Sequence, residues 1–324
     1  MHKALRGPFT GAPTSRAELV ERASRLLGLV GRTPVRCSRL GPVELCVKLE
    51  YSNPTGSHKD RIAVYMLRGL AEEGALEPGG CVAEISSGNT ATSVAWASRL
   101  LGLRAVLYVE RRVSPLKKSM IRAFGGEVVE IGDEPEERER AVEDMERRGC
   151  VYLNQSGNEY NWRAHYETSG PEILGQLHWD LDAFVMGAGT GGTITGVGER
   201  LKEALGSVLV VAVTPRASAL AGGPGGDVIE GLASTRIPSL LERHRRAVDR
   251  VIEVSEAEAV EGVKALLRLT GIAAGPSTGA ALVGVLRLVE EGALDRGVRA
   301  VILAADHASR YPWLLEALAG GAGP

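Results

Sequence analysis

From residue 45 onward, short apolar runs of strand length alternate with segments whose apolar residues recur at helical spacing. Strands are predicted at residues 45–49, 81–85, 104–109, 127–131, 151–153, 181–186, 208–213, 251–254 and 298–304. Strands that alternate with helices form mainly parallel sheets covered by helices. A chain of 324 residues holds one large domain or two moderate ones. We therefore expect an α/β protein of two units that share one cleft, with ligands at the carboxyl ends of the strands.

The composition argues against several classes of partner. With 38 basic and 40 acidic residues the formal charge is -2, so no positive excess favours nucleic acid or an anionic membrane. No run of about 20 apolar residues predicts a membrane span, and no signal peptide is recognisable. We expect a cytoplasmic protein. Lysine supplies only 7 of the basic residues and glutamine occurs twice, which fits a heat-adapted source or a GC-rich genome.

The four cysteines are scattered along the chain, at Cys37, Cys46, Cys81 and Cys150. They form no Cys-x-x-Cys pair and no spacing typical of a metal site, so no metal is expected. Each cysteine lies near apolar residues. We therefore expect buried free thiols in a reducing compartment.

The segment of residues 53–61, which reads NPTGSHKDR, connects a predicted strand to a predicted helix. Its Asn-Pro and Thr-Gly pairs indicate a tight turn, and Ser57 and Asp60 have the spacing of a capping box. Lys59 would then lie in the first helical turn, where the positive end of the helix dipole favours a neutral amine. A neutral amine is a nucleophile toward an aldehyde, so we interpret Lys59 as a Schiff-base lysine. A solvated surface lysine beside a turn is the alternative.

A second loop, residues 86–90, follows the strand predicted at residues 81–85 and opens a helix. Its small hydroxyl side chains, its glycine and the amides of the helix start form a cradle for an anion such as a carboxylate. Asn89 could also donate a hydrogen bond to a phenolate oxygen. The alternative is an ordinary helix cap.

A third loop, residues 187–193, reads GAGTGGT and again lies between a strand and a helix. Glycines let backbone amides approach a phosphate closely, but the lysine of a nucleotide-binding P-loop is missing. Gly187, Gly189 and Gly192 also satisfy the Gly-x-Gly-x-x-Gly pattern. A dinucleotide site therefore stays open, and its best version is an NADP site that uses Arg216.

Two further segments carry polar residues. The loop of residues 275–279, GPSTG, starts a predicted helix, and a simple turn and cap is its alternative. Residues 154–161 contain three of the five asparagines and one of the two glutamines, and the polar run continues through His165 to Glu172. Because the chain is otherwise poor in amides, we interpret this concentration as functional.

Taken together, these motifs resemble those of one enzyme family. The segment from Leu49 to Arg61, LEYSNPTGSHKDR, resembles the lysine motif of the fold-type-II pyridoxal-phosphate enzymes. Residues 86–90 are similar to that family's substrate-carboxylate loop, and residues 189–193 to its phosphate cup. Residues 154–173 are most similar to cysteine synthase and cystathionine β-synthase. The resemblance extends from Gly31 to Tyr311, and the combined set of motifs is far more specific than any single one.

The resemblance implies a tryptophan synthase β-like fold with pyridoxal 5'-phosphate as cofactor. Two three-layer α/β/α domains with mainly parallel sheets would hold the cofactor in the cleft between them. Residues 1–43 and 151–324 would form the larger, phosphate-binding domain. Residues 44–150 would form a smaller, mobile domain with the substrate-carboxylate loop. A homodimer is also implied.

The family's functional residues map onto matching positions of this sequence. Lys59 would form the imine with the cofactor and later act as acid and base. The other cofactor-binding residues would be Asn89, Gly189, Thr190, Gly191, Gly192, Thr193 and Ser277. The substrate would be bound by Ser86, Ser87, Gly88, Asn89, Thr90, Gln155, Gly231 and Arg236.

The resemblance further implies β-replacement on an O-activated serine, either O-acetylserine or O-phosphoserine. Loss of the leaving group would give an aminoacrylate, and sulfide would add to it to form L-cysteine; sulfide or another thiol is thus the expected second substrate. Ser277 suits this chemistry because a hydroxyl does not force a proton onto the pyridine nitrogen. Alternatives are a cystathionine β-synthase, a threonine synthase or a serine/threonine dehydratase.

The sequence departs from the family pattern in three places. His58 precedes the lysine, and Ser86, Ser87 and Ala91 are closer to the loop of threonine synthases. The loop of residues 231–236 reads GLASTR, and the guanidinium of Arg236 could pair with a phosphate leaving group. A surface arginine is the alternative.

Overall fold

The computed structural model describes residue 9 and residues 11–86, 88–233 and 235–320. The helices and strands are, in chain order, α1 (Arg16–Leu27), β1 (Val35–Leu40), β2 (Val43–Leu49), α2 (Lys59–Glu72), β3 (Cys81–Ile85), α3 (Asn89–Leu101), β4 (Arg104–Glu110), α4 (Pro115–Ala123), β5 (Glu127–Ile131), α5 (Pro135–Arg147), β6 (Cys150–Tyr152), α6 (Glu159–Ala164), α7 (Gly170–Gln176), β7 (Ala183–Gly187), α8 (Gly192–Leu205), β8 (Leu209–Pro215), α9 (Ser239–Arg243), β9 (Arg250–Val254), α10 (Glu256–Thr270), α11 (Pro276–Glu290), β10 (Arg299–Ala304) and α12 (Pro312–Ala319). None of the helices in these ranges combines the length and the apolar character that crossing a membrane requires.

The chain divides into two compact units. The first unit comprises Met1–Gly31 and Asn53–Tyr160, and the second comprises Arg32–Ser52 and Asn161–Pro324. Each unit contains one sheet with helices packed against it. The α/β class with mainly parallel strands is thus confirmed, whereas the domain boundaries and the mobility expected from the sequence stay predictions.

The first unit is built on a four-stranded parallel sheet in the order β5-β4-β3-β6. The central strand β4 is buried along nearly its whole length, as expected for a strand with helices on both faces. On one face, Val106 and Tyr108 pack with Met145 of α5. On the other, Gly126 lies where an added Cβ would meet Leu107 at 2.8 Å and Ala95 of α3 at 2.9 Å. The sheet therefore lies between two helical layers.

The second unit is built on a six-stranded sheet in the order β1-β2-β10-β7-β8-β9. Only β1 is antiparallel to its neighbour, and the other pairs are parallel. Alternate residues of β10 face opposite sides: Ile302 packs in a cluster with α10 and α11, and Val301 packs in another with α7 and α8. This alternation gives three layers.

The cysteines contradict the sequence-based expectation. Cys37 and Cys46 are opposite each other on β1 and β2 and form a disulfide, with Cα atoms 4.0 Å apart. Cys81 and Cys150 are opposite each other on β3 and β6 and form a second one, with Cα atoms 4.4 Å apart. The expectation of free thiols was wrong because the register between strands, not the spacing along the chain, brings these sulfur atoms together.

Candidate active site

In the first unit, Lys59 is the first residue of α2. The Oγ of Ser57 accepts a hydrogen bond of 3.3 Å from the backbone N–H of Lys59, but the cap position is occupied by His58. The predicted capping box was wrong, since the Asp60 carboxylate binds Thr55 instead of reaching back to Ser57. The position of Lys59 at the helix start agrees with the sequence-based expectation.

The turn that carries Lys59 is held by the fully buried carboxylate of Asp60. Its Oδ2 accepts from the backbone N–H of Thr55 at 2.6 Å. Its Oδ1 accepts from the hydroxyl of Thr55 at 2.5 Å and from that of Ser93, on α3, at 2.6 Å. Hydrogen bonds to an ionised acceptor are stronger than those between neutral groups. The backbone at Lys59 is therefore fixed against the neighbouring helix.

The amine of Lys59 lies beside an imidazole. Its Nζ is 2.7 Å from Nε2 of His58, which is itself buried, whereas Lys59 is partly exposed. A hydrogen bond between the two nitrogens requires that one of them donates and the other accepts. His58, which the sequence marked only as a departure from the family pattern, therefore contacts the candidate nucleophile directly.

The loop of residues 86–90 leads from β3 into α3. The backbone N–H of Gly88 donates to the Oγ of Ser86 at 3.4 Å, and Asn89 and Thr90 are the first two residues of the helix. The Thr90 hydroxyl donates to Oε1 of Gln155 at 2.6 Å. Two predicted carboxylate-binding residues from distant parts of the chain are thus brought together. The predicted site residue Ser87 lies outside the described residues.

Glu84, on β3, is a residue of this site that the sequence reasoning missed. Its buried carboxylate accepts from the backbone N–H of Ile85 at 3.0 Å and from that of Gln155 at 3.1 Å. Burial raises the pKa of Glu84 from its ordinary 4.5 to about 8, although both N–H groups act in the opposite direction. A lone acid in an otherwise apolar strand was the available signal.

Lys117, on α4, was also missed. Its side chain is buried, and a Cβ added to Gly88 would lie 3.0 Å from its Cδ. The methylene chain of Lys117 therefore lies against the loop of residues 86–90, and a side chain at Gly88 would have to displace it. The lysine is distant in sequence from every recognised motif, so no local pattern indicated it.

In the second unit, the loop of residues 187–193 connects β7 to α8. Gly191 is the cap of α8 with φ of 92°, a backbone conformation that favours glycine. A Cβ on Gly191 would meet the Cβ of Leu241 at 2.4 Å, and one on Gly189 would meet the carbonyl oxygen of Gly231 at 2.4 Å. The glycines are therefore required for close packing around the helix start, where amide groups have no acceptor within the helix.

Two hydroxyl side chains of this loop are contacted by buried polar groups of the second unit. The amide nitrogen of Asn161 donates to the Oγ1 of Thr190 at 2.9 Å. The Oγ1 of Thr193 lies 3.1 Å from Nε2 of His165, whose Nδ1 lies 2.9 Å from the hydroxyl of Ser169. Asn161 and His165, which follow the boundary of the second unit, thus contact the glycine loop.

Ser277 lies in the first turn of α11 and is buried. The turn before it is closely packed, because a Cβ on Gly275 would lie 2.0 Å from Oδ1 of Asp306. The backbone N–H of Gly275 donates to the Asp306 carbonyl at 3.1 Å, and the buried Tyr311 hydroxyl donates to the Asp306 carboxylate at 2.5 Å. Burial and the neighbouring Asp306 raise the pKa of Tyr311.

Gly231 and Arg236 lie in the loop before α9. Gly231 has φ of 90° and its carbonyl oxygen faces Gly189, while the N–H of Ala233 donates to the carbonyl of Ala188 at 3.0 Å. Gly231 is therefore held beside the glycine loop. The side chain of Arg236 is exposed.

The predicted site residues thus form two groups. Lys59, Ser86, Gly88, Asn89, Thr90 and Gln155 lie in the first unit, and Gly189–Thr193, Gly231, Arg236 and Ser277 lie in the second. Within each unit the contacts above connect several members. The binding of one ligand by both groups stays a prediction.

The chain is similar to enzymes of known type over most of its length. The sequence profile of the family described as "Pyridoxal-phosphate dependent enzyme" matches residues 26–306. The N-(2-amino-2-carboxyethyl)-L-glutamate synthase of Ralstonia nicotianae is 36% identical, covering 93% of this chain and 94% of the relative. A cysteine synthase of Staphylococcus aureus is 35% identical, covering 87% and 93%. The crystal structure of an O-ureido-L-serine synthase superposes with a TM-score of 0.85 at 32% identity, covering 92% of this chain and 96% of that one.

Glu84 should make stability depend on pH. Because the folded-state pKa is raised from 4.5 to about 8, the folded protein keeps a proton that the unfolded chain releases as the pH rises through this interval. The contribution of Glu84 is therefore complete below the unfolded-state pKa and is lost as the pH approaches 8. We expect the melting temperature of the wild type to fall more between pH 5 and 8 than that of Glu84→Gln.

The control is Glu139→Gln, which changes an exposed glutamate on α5. Its melting temperature should follow the wild-type curve across the same pH range. Parallel curves for the wild type and Glu84→Gln would contradict the raised pKa.

Proposed function

We propose, from the premise that this chain belongs to the pyridoxal-phosphate-dependent enzyme family, that it catalyses β-replacement on an O-activated serine. The donor is O-acetylserine or O-phosphoserine, and sulfide adds to give L-cysteine. The similarity to cysteine synthases over most of both chains supports this choice.

The names of the relatives support the reaction type more strongly than the nucleophile. Cysteine, O-ureido-L-serine and N-(2-amino-2-carboxyethyl)-L-glutamate all contain a three-carbon amino-acid fragment whose β-carbon is bonded to a heteroatom. That atom is sulfur, oxygen and nitrogen in turn. A common step that replaces one β-substituent by another accounts for all three products.

The observation that carries the proposal is the position of Lys59 at the start of α2, on a turn held by the buried Asp60 carboxylate. A nucleophilic amine needs a defined position if it is to react with one aldehyde and later move one proton. Free rotation of the turn would scatter the amine over many positions. The hydrogen bonds at Asp60 restrain the backbone of the turn, so that the remaining rotation is that of the Lys59 side chain.

The glycine loop of the second unit fits the phosphate of the cofactor. It offers helix-start amides, the hydroxyls of Thr190 and Thr193, and glycines that keep side chains away from the backbone. The dipole of α8 stabilises an anion by roughly 0.3–1 kcal/mol, and by about 2 kcal/mol where the site is partly buried. When bound, pyridoxal phosphate supplies an electron sink that makes the α-proton of an amino acid acidic.

The residues of the first unit have two roles in the proposed reaction, proton transfer and binding of the substrate carboxylate. Lys59 would hold the cofactor and would act as the base that takes the proton from the substrate α-carbon. Asn89, Thr90 and Gln155 bind the substrate carboxylate, and the Thr90–Gln155 hydrogen bond fixes their orientation. The remaining residues of the loop, Ser86, Ser87 and Gly88, complete this cradle.

Ser277 is proposed to meet the pyridine nitrogen. A serine hydroxyl is neutral, so it does not hold a proton on that nitrogen as a carboxylate would. The cofactor would then be a weaker electron sink, which would favour loss of the β-substituent over side reactions. The packed turn at Gly275 restrains the backbone that carries this hydroxyl.

Lys59→Ala should abolish the yellow colour of the bound cofactor and lower β-replacement by about 10²–10⁴-fold, because the base for the α-proton is removed. Visible absorbance and steady-state turnover with O-acetylserine and sulfide measure the two effects. Lys264→Ala, on α10, is the matched control and should behave as the wild type. Full turnover by Lys59→Ala would exclude the catalytic assignment.

An amino-acid nucleophile is the second candidate. Relatives in two organisms, 36% and 34% identical, are named for a product in which glutamate nitrogen carries the three-carbon fragment. We expect cysteine as the product when sulfide is supplied with either activated serine. Mass spectrometry of mixtures that contain sulfide or L-glutamate decides between the candidates. A glutamate adduct without any cysteine would favour the second.

Arg236 is proposed to select the phosphorylated donor, since its exposed guanidinium is free to rotate toward a leaving phosphate. Arg236→Ala should then lower kcat/KM for O-phosphoserine by about 10-fold while leaving that for O-acetylserine unchanged. Arg245→Ala, which removes an exposed arginine beyond α9, is the control. Equal losses for both donors would show that Arg236 does not read the leaving group.

A homodimer in the cytoplasm, expected from the resemblance and the composition, remains part of this proposal. Light scattering of the purified protein measures its mass in solution. A monomer that is fully active would contradict the dimer.

A further inference from the structure

We propose that Asn161 and His165 are positioning residues that orient the hydroxyls of Thr190 and Thr193 toward the cofactor phosphate. This inference rests on the proposed function. It assigns a role to two polar residues, Asn161 and His165, that the reaction described above leaves unused. All four residues belong to the second unit.

The contact of Asn161 has a defined direction. Its side chain is buried, and its amide nitrogen donates to the Oγ1 of Thr190 at 2.9 Å. An amide nitrogen only donates, so the threonine oxygen is the acceptor. Because this contact occupies a lone pair of the oxygen, the hydroxyl proton of Thr190 is directed to another side. A phosphate oxygen held by the adjacent helix-start amides is the acceptor that we infer.

His165 forms the second contact. It is fully buried between two hydroxyls, with Nε2 3.1 Å from Thr193 and Nδ1 2.9 Å from Ser169. A neutral imidazole has one donor and one acceptor nitrogen. If Nε2 donates to Thr193, Nδ1 must therefore accept from Ser169, and the reverse order holds for the other tautomer. When the Thr193 hydroxyl donates its proton to a phosphate, its oxygen can only accept from Nε2. Nδ1 then accepts from the hydroxyl of Ser169. The anion therefore determines the tautomer.

Close packing of two helical segments makes both contacts possible. Asn161 and His165 are four residues apart, on α6 and on the short π-helical turn His165–Ser169 that follows it. A Cβ on Gly192 would lie 2.0 Å from Oδ1 of Asn161, and one on Gly196 would lie 2.5 Å from the carbonyl oxygen of Trp162. Glycines at these two positions of α8 let the polar side chains reach the start of the helix.

The side chains of Asn161 and His165, here called the clamp, can hold the two threonine hydroxyls without carrying a charge. An amide and a neutral imidazole contribute donors without adding a positive charge, so the helix-start amides remain the main compensation for the phosphate charge. Loss of the clamp should therefore weaken binding of the phosphate and leave contacts to the rest of the cofactor intact. Comparison of pyridoxal 5'-phosphate with pyridoxal, which lacks the phosphate, isolates this effect.

The experiment measures equilibrium binding of both compounds to the full-length protein after removal of the cofactor. The variants are Asn161→Leu and His165→Leu, which remove the donors at similar volume, and His165→Gln, whose amide nitrogen can replace Nε2. Thr168→Val is the matched control, because its hydroxyl bonds to the carbonyl of Ala164 within its own helical segment.

We expect Asn161→Leu and His165→Leu to weaken binding of pyridoxal 5'-phosphate by about 10-fold or more and binding of pyridoxal by less than about 2-fold. His165→Gln should recover most of the loss, and Thr168→Val should match the wild type. Thr190→Val and Thr193→Val probe the same contacts from the loop and should show the same selectivity, which keeps the test decisive if a clamp variant does not fold.

Equal losses for pyridoxal 5'-phosphate and pyridoxal, or no loss for either, would overturn the inference alone, since the proposed function needs only that the cofactor binds. A wild-type protein that binds no pyridoxal 5'-phosphate would overturn the proposed function together with the inference.

Discussion

Asp60 holds the part of the molecule on which the candidate chemistry depends. A carboxylate without contact to water is costly unless hydrogen bonds replace its hydration. Here one backbone N–H and two hydroxyls do so, and they come from the turn before α2 and from α3. The same three bonds that stabilise the charge therefore determine where α2 begins. Lys59, one residue earlier, takes its position from them.

A comparable arrangement in the second unit relies on glycine instead of charge. Gly191 ends the glycine loop with a positive φ, and Gly192 lets Asn161 approach the first turn of α8. Side chains at these positions would separate the helix from its neighbours. Both units thus present a helix start in a defined position, one fixed by a buried anion and the other by the absence of side chains.

The sequence predicted those parts of the fold that depend on local periodicity. The bounds of β3 and β5 agree with the predicted ones, because each is a short apolar run between clear turns. The antiparallel strand β1 was not predicted, since its sequence, VRCSRL, has no apolar run and all of its residues are exposed or half-buried. The disulfides were missed because they depend on which strands are neighbours.

The candidate site also contains features that local sequence patterns predict and features that depend on contacts between distant residues. The loops that carry Lys59, Thr90 and Gly191 were recognisable as motifs, because turn chemistry is written in consecutive residues. The contacts of Glu84 and Lys117 were not, since their partners come from distant parts of the chain. Asn161 and His165 stood out through the polar composition of their segment and through the resemblance of residues 154–173 to known enzymes, but neither signal indicated their partners. Only the structure shows that their side chains contact Thr190 and Thr193 at the start of α8.

The disulfide between Cys81 and Cys150 has a further consequence for the first unit. One of the two edge strands of its sheet, β6, has only three residues, and so short a strand at a sheet edge frays easily. The disulfide attaches the first residue of β6, Cys150, to β3. The hydrogen bond from the Gln155 N–H to Glu84 attaches the residues that follow β6 to the same strand. The segment of residues 150–155 is therefore attached to β3 at both ends. Opening the link would remove one of these two restraints on the segment that carries Gln155, while the contacts of the glycine loop in the second unit do not depend on it.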